Sequence, residues 1–294
     1  MTEATGGETR TGRIVLGPTS YGKSGVRIVK VKRGTERHEL WDLDVAVALE
    51  GGFEAAHLEG DNSQLLATDT MRNAVYALAK DRLTGSVEEF GLALVDHFLE
   101  AGPTVERARV IITQFPWDRI EVNGQGHEHS FVRGSGERKA IVTGDERGER
   151  RVEAGLDNLL VMKTTASGWE GFYRDRFTTL AGTNDRILAT VVTADWDYAE
   201  AEGLDFDGLW EGIRDRILAT FTDHYSPSVQ NTLYRIGKAV LEEHPEVEKI
   251  RLSFPNKHHI SYDLSRFGTE NENEIFWATD EPYGLIEGTV ERER

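Results

Sequence analysis

Cysteine is missing from all 294 residues. Its absence excludes disulfides, thiolate metal ligands and a cysteine nucleophile. Proline is scarce, at 7 residues, so each proline marks a joint where an element ends or bends. No run reaches 18 apolar residues, so the sequence encodes no membrane-spanning helix. Basic residues are also short: 34 Lys and Arg face 51 Asp and Glu, a net charge of −17. That balance excludes nucleic acid as a partner, because phosphate binding needs a basic face. A small anionic substrate would have to be met by local cations. Residues 1–12 are small, polar and without the apolar segment of a secretory signal. They read as a flexible tail. The terminal Arg292-Glu293-Arg294 is not a peroxisomal tripeptide, and the expectation is a cytoplasmic protein.

What is present describes a globular α+β chain, 38% apolar and 29% charged. Residues 13–16 and 26–32 read as strands. Residues 36–50 alternate Trp41, Leu43, Val45, Val47 and Leu49 against Asp42 and Asp44, a long half-buried strand. Thr68-Asp69-Thr70 opens a helix, with Thr68 or Asp69 suited to the N-cap. Ser86 and Glu89 form a capping box for the next helix, which Gly102-Pro103 ends. Strands are predicted at 105–115, 117–122, 130–133 and 139–143, with a charged loop over 144–151. The second half repeats the order: strands at 159–163 and 186–196, helices at 206–225 and 229–243, strands at 247–254 and 258–264.

The repeat is visible in letters too. Leu99-Glu100-Ala101-Gly102-Pro103-Thr104-Val105-Glu106 aligns with Leu241-Glu242-Glu243-His244-Pro245-Glu246-Val247-Glu248, and Phe115-Pro116 with Phe254-Pro255. Duplication of a strand-strand-helix-helix-strand-strand unit follows. Each unit would be a four-stranded antiparallel sheet with two helices on one face. The expected division is a tail over 1–12, one unit over 13–145 and a second over 146–294. The repeated corners diverge: the first continues Trp117-Asp118-Arg119, the second Asn256-Lys257-His258-His259. Pro255 cannot donate to a sheet ladder, so a strand edge, bulge or end is expected there.

Two motifs suggest other chemistries. Gly17-Pro18-Thr19-Ser20-Tyr21-Gly22-Lys23-Ser24 has the letters of a phosphate-binding P-loop. That motif needs a helix starting at the lysine, and the strand-like Val26-Arg27-Ile28-Val29-Lys30-Val31-Lys32 follows instead. His127-Glu128-His129 puts two imidazoles on one strand face, a start on a zinc site. A third ligand at convincing spacing is missing, so no metal is expected.

Other segments carry polar groups at element ends: Lys23, Thr68-Asp69, Asp185-Arg186, Ser228-Val229-Gln230 and Asn256-Lys257-His258. With Lys163-Thr164-Thr165, Gly171-Phe172, Arg174-Asp175 and Thr178-Thr179-Leu180, their order and spacing resemble the urate oxidase (uricase) family over nearly the whole chain. The resemblance implies tandem tunnelling-fold (T-fold) units assembled as a homotetramer around an oligomeric barrel, with each active site shared between two subunits. It implies oxidation of urate by O2 to 5-hydroxyisourate and hydrogen peroxide, without metal or organic cofactor. It assigns Lys23, Thr68 and His258 to a proton relay, and Arg186 and Gln230 to a clamp on one urate edge. Val229 would bind by its backbone N–H, Thr68 and Asp69 by theirs from the neighbouring subunit, and Asn256 would hold O2 or peroxide. The stacking ring falls on Trp169, where many members carry Phe, with Phe172 as the other aromatic nearby. A non-catalytic purine-binding oligomer of the same fold is the alternative.

Overall fold

The computed structural model describes residues 13–102 and 104–293. The expected tail 1–12 and the expected helix stop at Pro103 lie outside the described residues. β1 (Tyr21–Lys32) and β2 (Glu39–Gly51) form a hairpin. A short helix α1 (Glu54–Leu58) that periodicity did not reveal leads to α2 (Thr68–Arg82) and α3 (Val87–Ala101). β3 (Val105–Gln114) follows, then a separate hairpin of β4 (Trp117–Val122) and β5 (Gln125–Arg133), then β6 (Glu137–Asp145). The second half runs β7 (Arg150–Lys163), β8 (Leu188–Tyr198), α4 (Phe206–Thr222), α5 (Val229–Glu243), β9 (Val247–Ser261) and β10 (Phe276–Glu291).

The strands do not form two separate sheets. They join as one antiparallel sheet in the order β1-β2-β3-β6-β7-β8-β9-β10. The charged segment expected as a loop over 144–151 shrinks to a turn, because β6 and β7 pair from Gly144↔Arg150 onward. Strand order within each set of four is the same, so the duplicated order of elements has become duplicated topology. Helices α2 and α3 pack on the first four strands and α4 and α5 on the last four. Alternation in the strands sends Leu43, Val45, Val47 and Leu49 to the helix side, where all are buried. Each such side chain contributes about 2–3 kcal/mol by leaving water. α5 does the same at helical spacing with Val229, Leu233, Ile236 and Val240.

Several local expectations need correction. Residues 13–16 form no strand, and Ile14 is 96% exposed. β2 ends at Gly51, so that stretch has no partner strand to its side. The residue preceding α2 is Ala67, with no side-chain cap, so neither Thr68 nor Asp69 serves as N-cap. Ser86 and Glu89, by contrast, form the expected capping box. The P-loop letters lead into β1, not a helix, with a bulge between Lys23 and Val26. The strand predicted at 247–254 does not stop at Phe254-Pro255: β9 runs on to Ser261. One buried ionic joint ties the two halves. Arg138 on β6 meets Glu88 of α3 at 3.2 Å and Asp207 at the start of α4, and lies over the Trp210 ring.

Candidate active site

A cleft of about 700 Å³ opens in the second half, where the start of β8, the N-terminus of α5, the far ends of β9 and β10, and the loop before β8 converge. Trp169, Arg186, Val229, Gln230, Asn256 and His258 all face it. Six of the nine residues singled out in the sequence therefore line one cleft, although they come from four separate segments.

Helix α5 supplies two of them. Ser228 caps it, its hydroxyl accepting from the Asn231 N–H at 3.1 Å. The N–H groups of the first turn have no intrahelical acceptor. Val229 and Gln230 stand in that turn, at the end of the helix dipole that favours an anion. Gln230 has no side-chain hydrogen-bond partner among the described residues, and its amide offers both a donor and an acceptor.

The loop before β8 is fixed to this helix end by backbone bonds. The Gly168 N–H donates to Ser226 O and the Ser226 N–H to Ala166 O, both at 2.8 Å. Trp169 and Thr183 exchange N–H···O bonds at 2.7 and 3.1 Å, and the Arg186 N–H donates to Ser167 O at 2.9 Å. A side chain at position 168 would displace Tyr225, since a Cβ there would lie 2.2 Å from the Tyr225 hydroxyl. Tyr225 in turn donates to Asn184 O at 3.0 Å. Arg186 precedes β8 by two residues, so the strand begins two residues later than the expected start at 186. Its Nε is buried without a hydrogen-bond partner in the protein. Burial pushes its pKa below the ordinary guanidinium value, with Tyr225 opposing. A planar cation with a spare donor, held at a cleft wall, suits a planar anionic edge.

Trp169 faces the cleft and Phe172 does not. Phe172 instead stacks on Trp169, centroids 5.5 Å apart and planes at 10°, with the Arg174 guanidinium 4.8 Å from the Phe172 centroid. Opposite, β9 carries Asn256 and His258. The ladder to β8 skips two steps, Val191–Pro255 and Val192–Phe254, beside the proline that has no N–H, and Thr190 Oγ1 bonds Pro255 O at 2.9 Å. Asn256 is buried, and its amide lies 3.4 Å from His258 Nδ1. The amide NH2 donates to Nδ1 in this arrangement, which leaves the ring proton on Nε2.

Lys23, Thr68 and Asp69 are elsewhere. Lys23 lies on β1 and the cleft lies by β9 and β10, at opposite edges of the eight-stranded sheet. All three belong to the first half of the chain. Tyr21 Oη accepts from the Leu66 N–H at 2.9 Å and so ties the start of β1 to the start of α2. Lys23 shares the Tyr21 face by strand alternation. Gly22 between them has no room for a side chain: a Cβ would sit 1.8 Å from Val47 O. Lys23 has no side-chain hydrogen bond or ion pair among the described residues. The N–H groups of Thr68 and Asp69 lie in the first turn of α2 and have no intrahelical acceptor. The Asp69 carboxylate is engaged sideways by Arg72 at 2.7 Å and Asn73 at 3.0 Å.

His127 and His129 stand with rings 4.6 Å apart, His129 5.9 Å from His38. Among the described residues no three His, Asp or Glu side chains converge on a common point suited to a metal ion. Residues that sequence reading passed over also line the cleft: Ile260, Phe276, Trp277 and Ile286 form an apolar flank. The adjacent aromatics Phe276-Trp277 were their one available signal. Their strand gains meaning only from pairing, Trp277 lying opposite Ile260.

The chain as a whole has counterparts among known proteins. A family model described as Uricase matches residues 19–143 and 152–287. Uricase of Arthrobacter globiformis is 47% identical over 287 residues, covering 97% of this chain and 93% of that protein. Uricase of Dictyostelium discoideum is 42% identical, covering 92% and 96%. The crystal structure of the Arthrobacter globiformis uricase superposes with a TM-score of 0.91 over 96% of both chains. A uricase from Bacillus fastidious, at 21% identity and a TM-score of 0.80, shares the fold. With matched segments in both halves and close relatives along nearly its full length, the chain belongs to the uricase family.

Proposed function

We propose that the protein is a urate oxidase that needs no metal or organic cofactor and uses O2 as co-substrate. The observation that carries the reading is the cleft itself: a half-buried guanidinium whose Nε has no partner, a free glutamine amide and an indole on one wall, in a chain of the uricase family. Urate is a planar anion with amide-like edges. Arg186 and Gln230 grip one edge, with the Val229 N–H on a carbonyl, and Trp169 stacks on the ring. Because Phe172 stands behind Trp169 and away from the cleft, Trp169 is the ring assigned to urate.

Lys23, Thr68 and His258 carry the protons. Lys23 draws a proton from urate through the Thr68 hydroxyl, and the electron-rich dianion gives up electrons to O2. Two electrons pass from the purine to O2, water supplies the new hydroxyl at the purine, and both atoms of O2 leave as hydrogen peroxide. Asn256 holds O2 or peroxide above the ring, and His258 moves the water proton. Lys23, Thr68 and Asp69 are separated from the cleft within one chain, which supports a site completed by a second copy. In this reading the units 13–145 and 146–294 assemble as a homotetramer with the sites at subunit interfaces. The free N–H groups of Thr68 and Asp69 then meet the far edge of urate. Among the described residues no helix is long and apolar enough to cross a membrane. The reading sets the enzyme in the cytoplasm. A purine binder without turnover would need only Arg186, Gln230 and Trp169.

The test follows urate by its ultraviolet absorbance and peroxide in the same cuvette, in air, with and without chelator. Matched urate loss and peroxide release, unchanged by chelator, are expected. Urate binding without turnover would overturn the catalytic reading, and chelator sensitivity would overturn the cofactor-free one.

A further inference from the structure

Behind the cleft wall lies a buried polar chain that the reaction itself does not use. His224, just past α4, sits between Thr220 O and the Thr232 hydroxyl of α5. Its Nδ1 lies 2.7 Å from a carbonyl, which can only accept, so Nδ1 carries the proton. The neutral ring therefore accepts at Nε2, and Thr232 Oγ1, 2.9 Å away, donates to it. Thr232 has then spent its proton, so Ser226 Oγ donates to Thr232 across 2.7 Å, with Ser228 O as a second acceptor at 3.1 Å. The direction of every bond follows from the one carbonyl at the end. Burial pushes the His224 pKa below its ordinary value, with Lys163 and Arg235 acting the same way and the Thr220 carbonyl and Asp223 against them, which favours the neutral ring.

The chain matters because of where Ser226 sits. Its side chain is bound to α5 through Thr232, while its backbone takes the Gly168 N–H and gives its own N–H to Ala166. Ser167, bridged to Ser226, holds the Arg186 N–H. One residue thus fixes the spacing between the groups on α5, Val229 and Gln230, and those on the loop, Trp169 and Arg186. Ser226 and Thr232 are 0% and 1% exposed, so no water substitutes for a lost partner at low cost.

Resting on the urate oxidase reading, we propose that Thr232 is a positioning residue for the substrate clamp: acting through Ser226 and oriented by His224, it sets the gap between the two halves of the urate-binding wall. The wall binds a rigid planar ligand from two sides, so a small change of gap weakens binding before it alters the reaction.

The test is Thr232→Val, nearly the same shape without the hydroxyl, beside Thr232→Ser, which restores it. Urate affinity is measured without oxygen, where no turnover occurs, and kcat and KM in air. The expected result is a roughly tenfold rise in the anaerobic Kd and in KM for Thr232→Val, kcat within about twofold, and recovery to within about twofold in Thr232→Ser. Should Thr232→Val not fold, Ser226→Ala reports from the other end of the chain, with a threefold to fivefold rise in Kd expected. Unchanged Kd in the variants, or a loss confined to kcat, or a serine variant as impaired as the valine one, overturns the inference while wild-type activity keeps the functional reading. Wild-type protein that neither binds nor consumes urate overturns both.

Discussion

The two Phe-Pro corners share a sequence and a strand position in the topology, the first just past the end of the third strand of its half and the second within the third strand of the other. At the first, Phe115 gives its N–H to Asp42 O at 2.8 Å, and its ring lies between the guanidinium groups of Arg27 (4.1 Å) and Arg133 (4.4 Å). The buried Asp42 carboxylate gathers Arg27, Arg133 and the Trp117 indole N–H around it. The chain leaves the sheet there to make the β4–β5 hairpin. At the second corner β9 runs straight through Pro255, and Asn256 and His258 line the cleft. The second half has its own buried carboxylate, Asp197, but holds it at the other end of the strands. There Asp197 pairs with Lys249 and Arg251 seven and five residues before Asn256. A charge cluster that plugs one corner is displaced in the other, and the emptied corner becomes a cleft. Where the stabilising charges go decides which copy is free to do chemistry.

This contrast breaks most readily at the functional corner. His258→Ala is expected to lower kcat about 100-fold, the usual contribution of one proton-transfer group, with no change in melting temperature. Steady-state kinetics with a thermal melt checks both, and a large loss of stability would mean that His258 props up the corner. The reciprocal variant is Asp42→Ala. It should cost about 2 kcal/mol in a urea titration, discounted because Arg27 and Arg133 are half exposed and can return to water. Its KM for urate should stay within about twofold. If KM rises tenfold, the plugged corner is part of the site after all.

Asp197→Asn sharpens the other side. Burial alone would raise the Asp197 pKa, but hydrogen bonds from Arg251 and Lys249 and the charge of Arg151 outweigh it and hold it below the usual value. A depressed carboxyl pKa stabilises the fold above its unfolded value, about 3.9, and that stability fades as pH falls through the folded pKa. The variant should be about 1 kcal/mol less stable at pH 7, and the gap should close below about pH 4 in chemical denaturation at each pH. A gap that persists in acid would trace the loss to packing. The smallest effect is expected of Trp169→Phe, which keeps a stacking ring: KM within about twofold, against about fivefold for Trp169→Leu. Equal effects from the two would remove Trp169 from the stacking role.

Much of this molecule was legible in one dimension. The alternation of Leu43, Val45, Val47 and Leu49, the Ser86–Glu89 capping box and the repeated order of elements follow from local rules of period and hydrogen bonding. Arg186, Gln230 and His258 were picked out by resemblance to a family and not by such rules. Residues 13–16 show where such rules stop: they have strand composition but no strand beside them. Pro255 shows it from the other side, sitting inside a continuous strand because the ladder to β8 skips two steps there while the ladder to β10 continues.

The sequence by itself determined which segments alternate, which are amphipathic, and that two halves share one plan, because those properties depend on neighbours within a few residues. Only the tertiary structure decided that eight strands merge into one sheet, that Trp169, Arg186, Gln230 and His258 meet, and that Lys23 and Thr68 stand at the opposite edge. These are long-range pairings, set by which strand edges find partners and which charges are drawn together on burial. No local pattern encodes them, since each segment on its own would be equally content in another place.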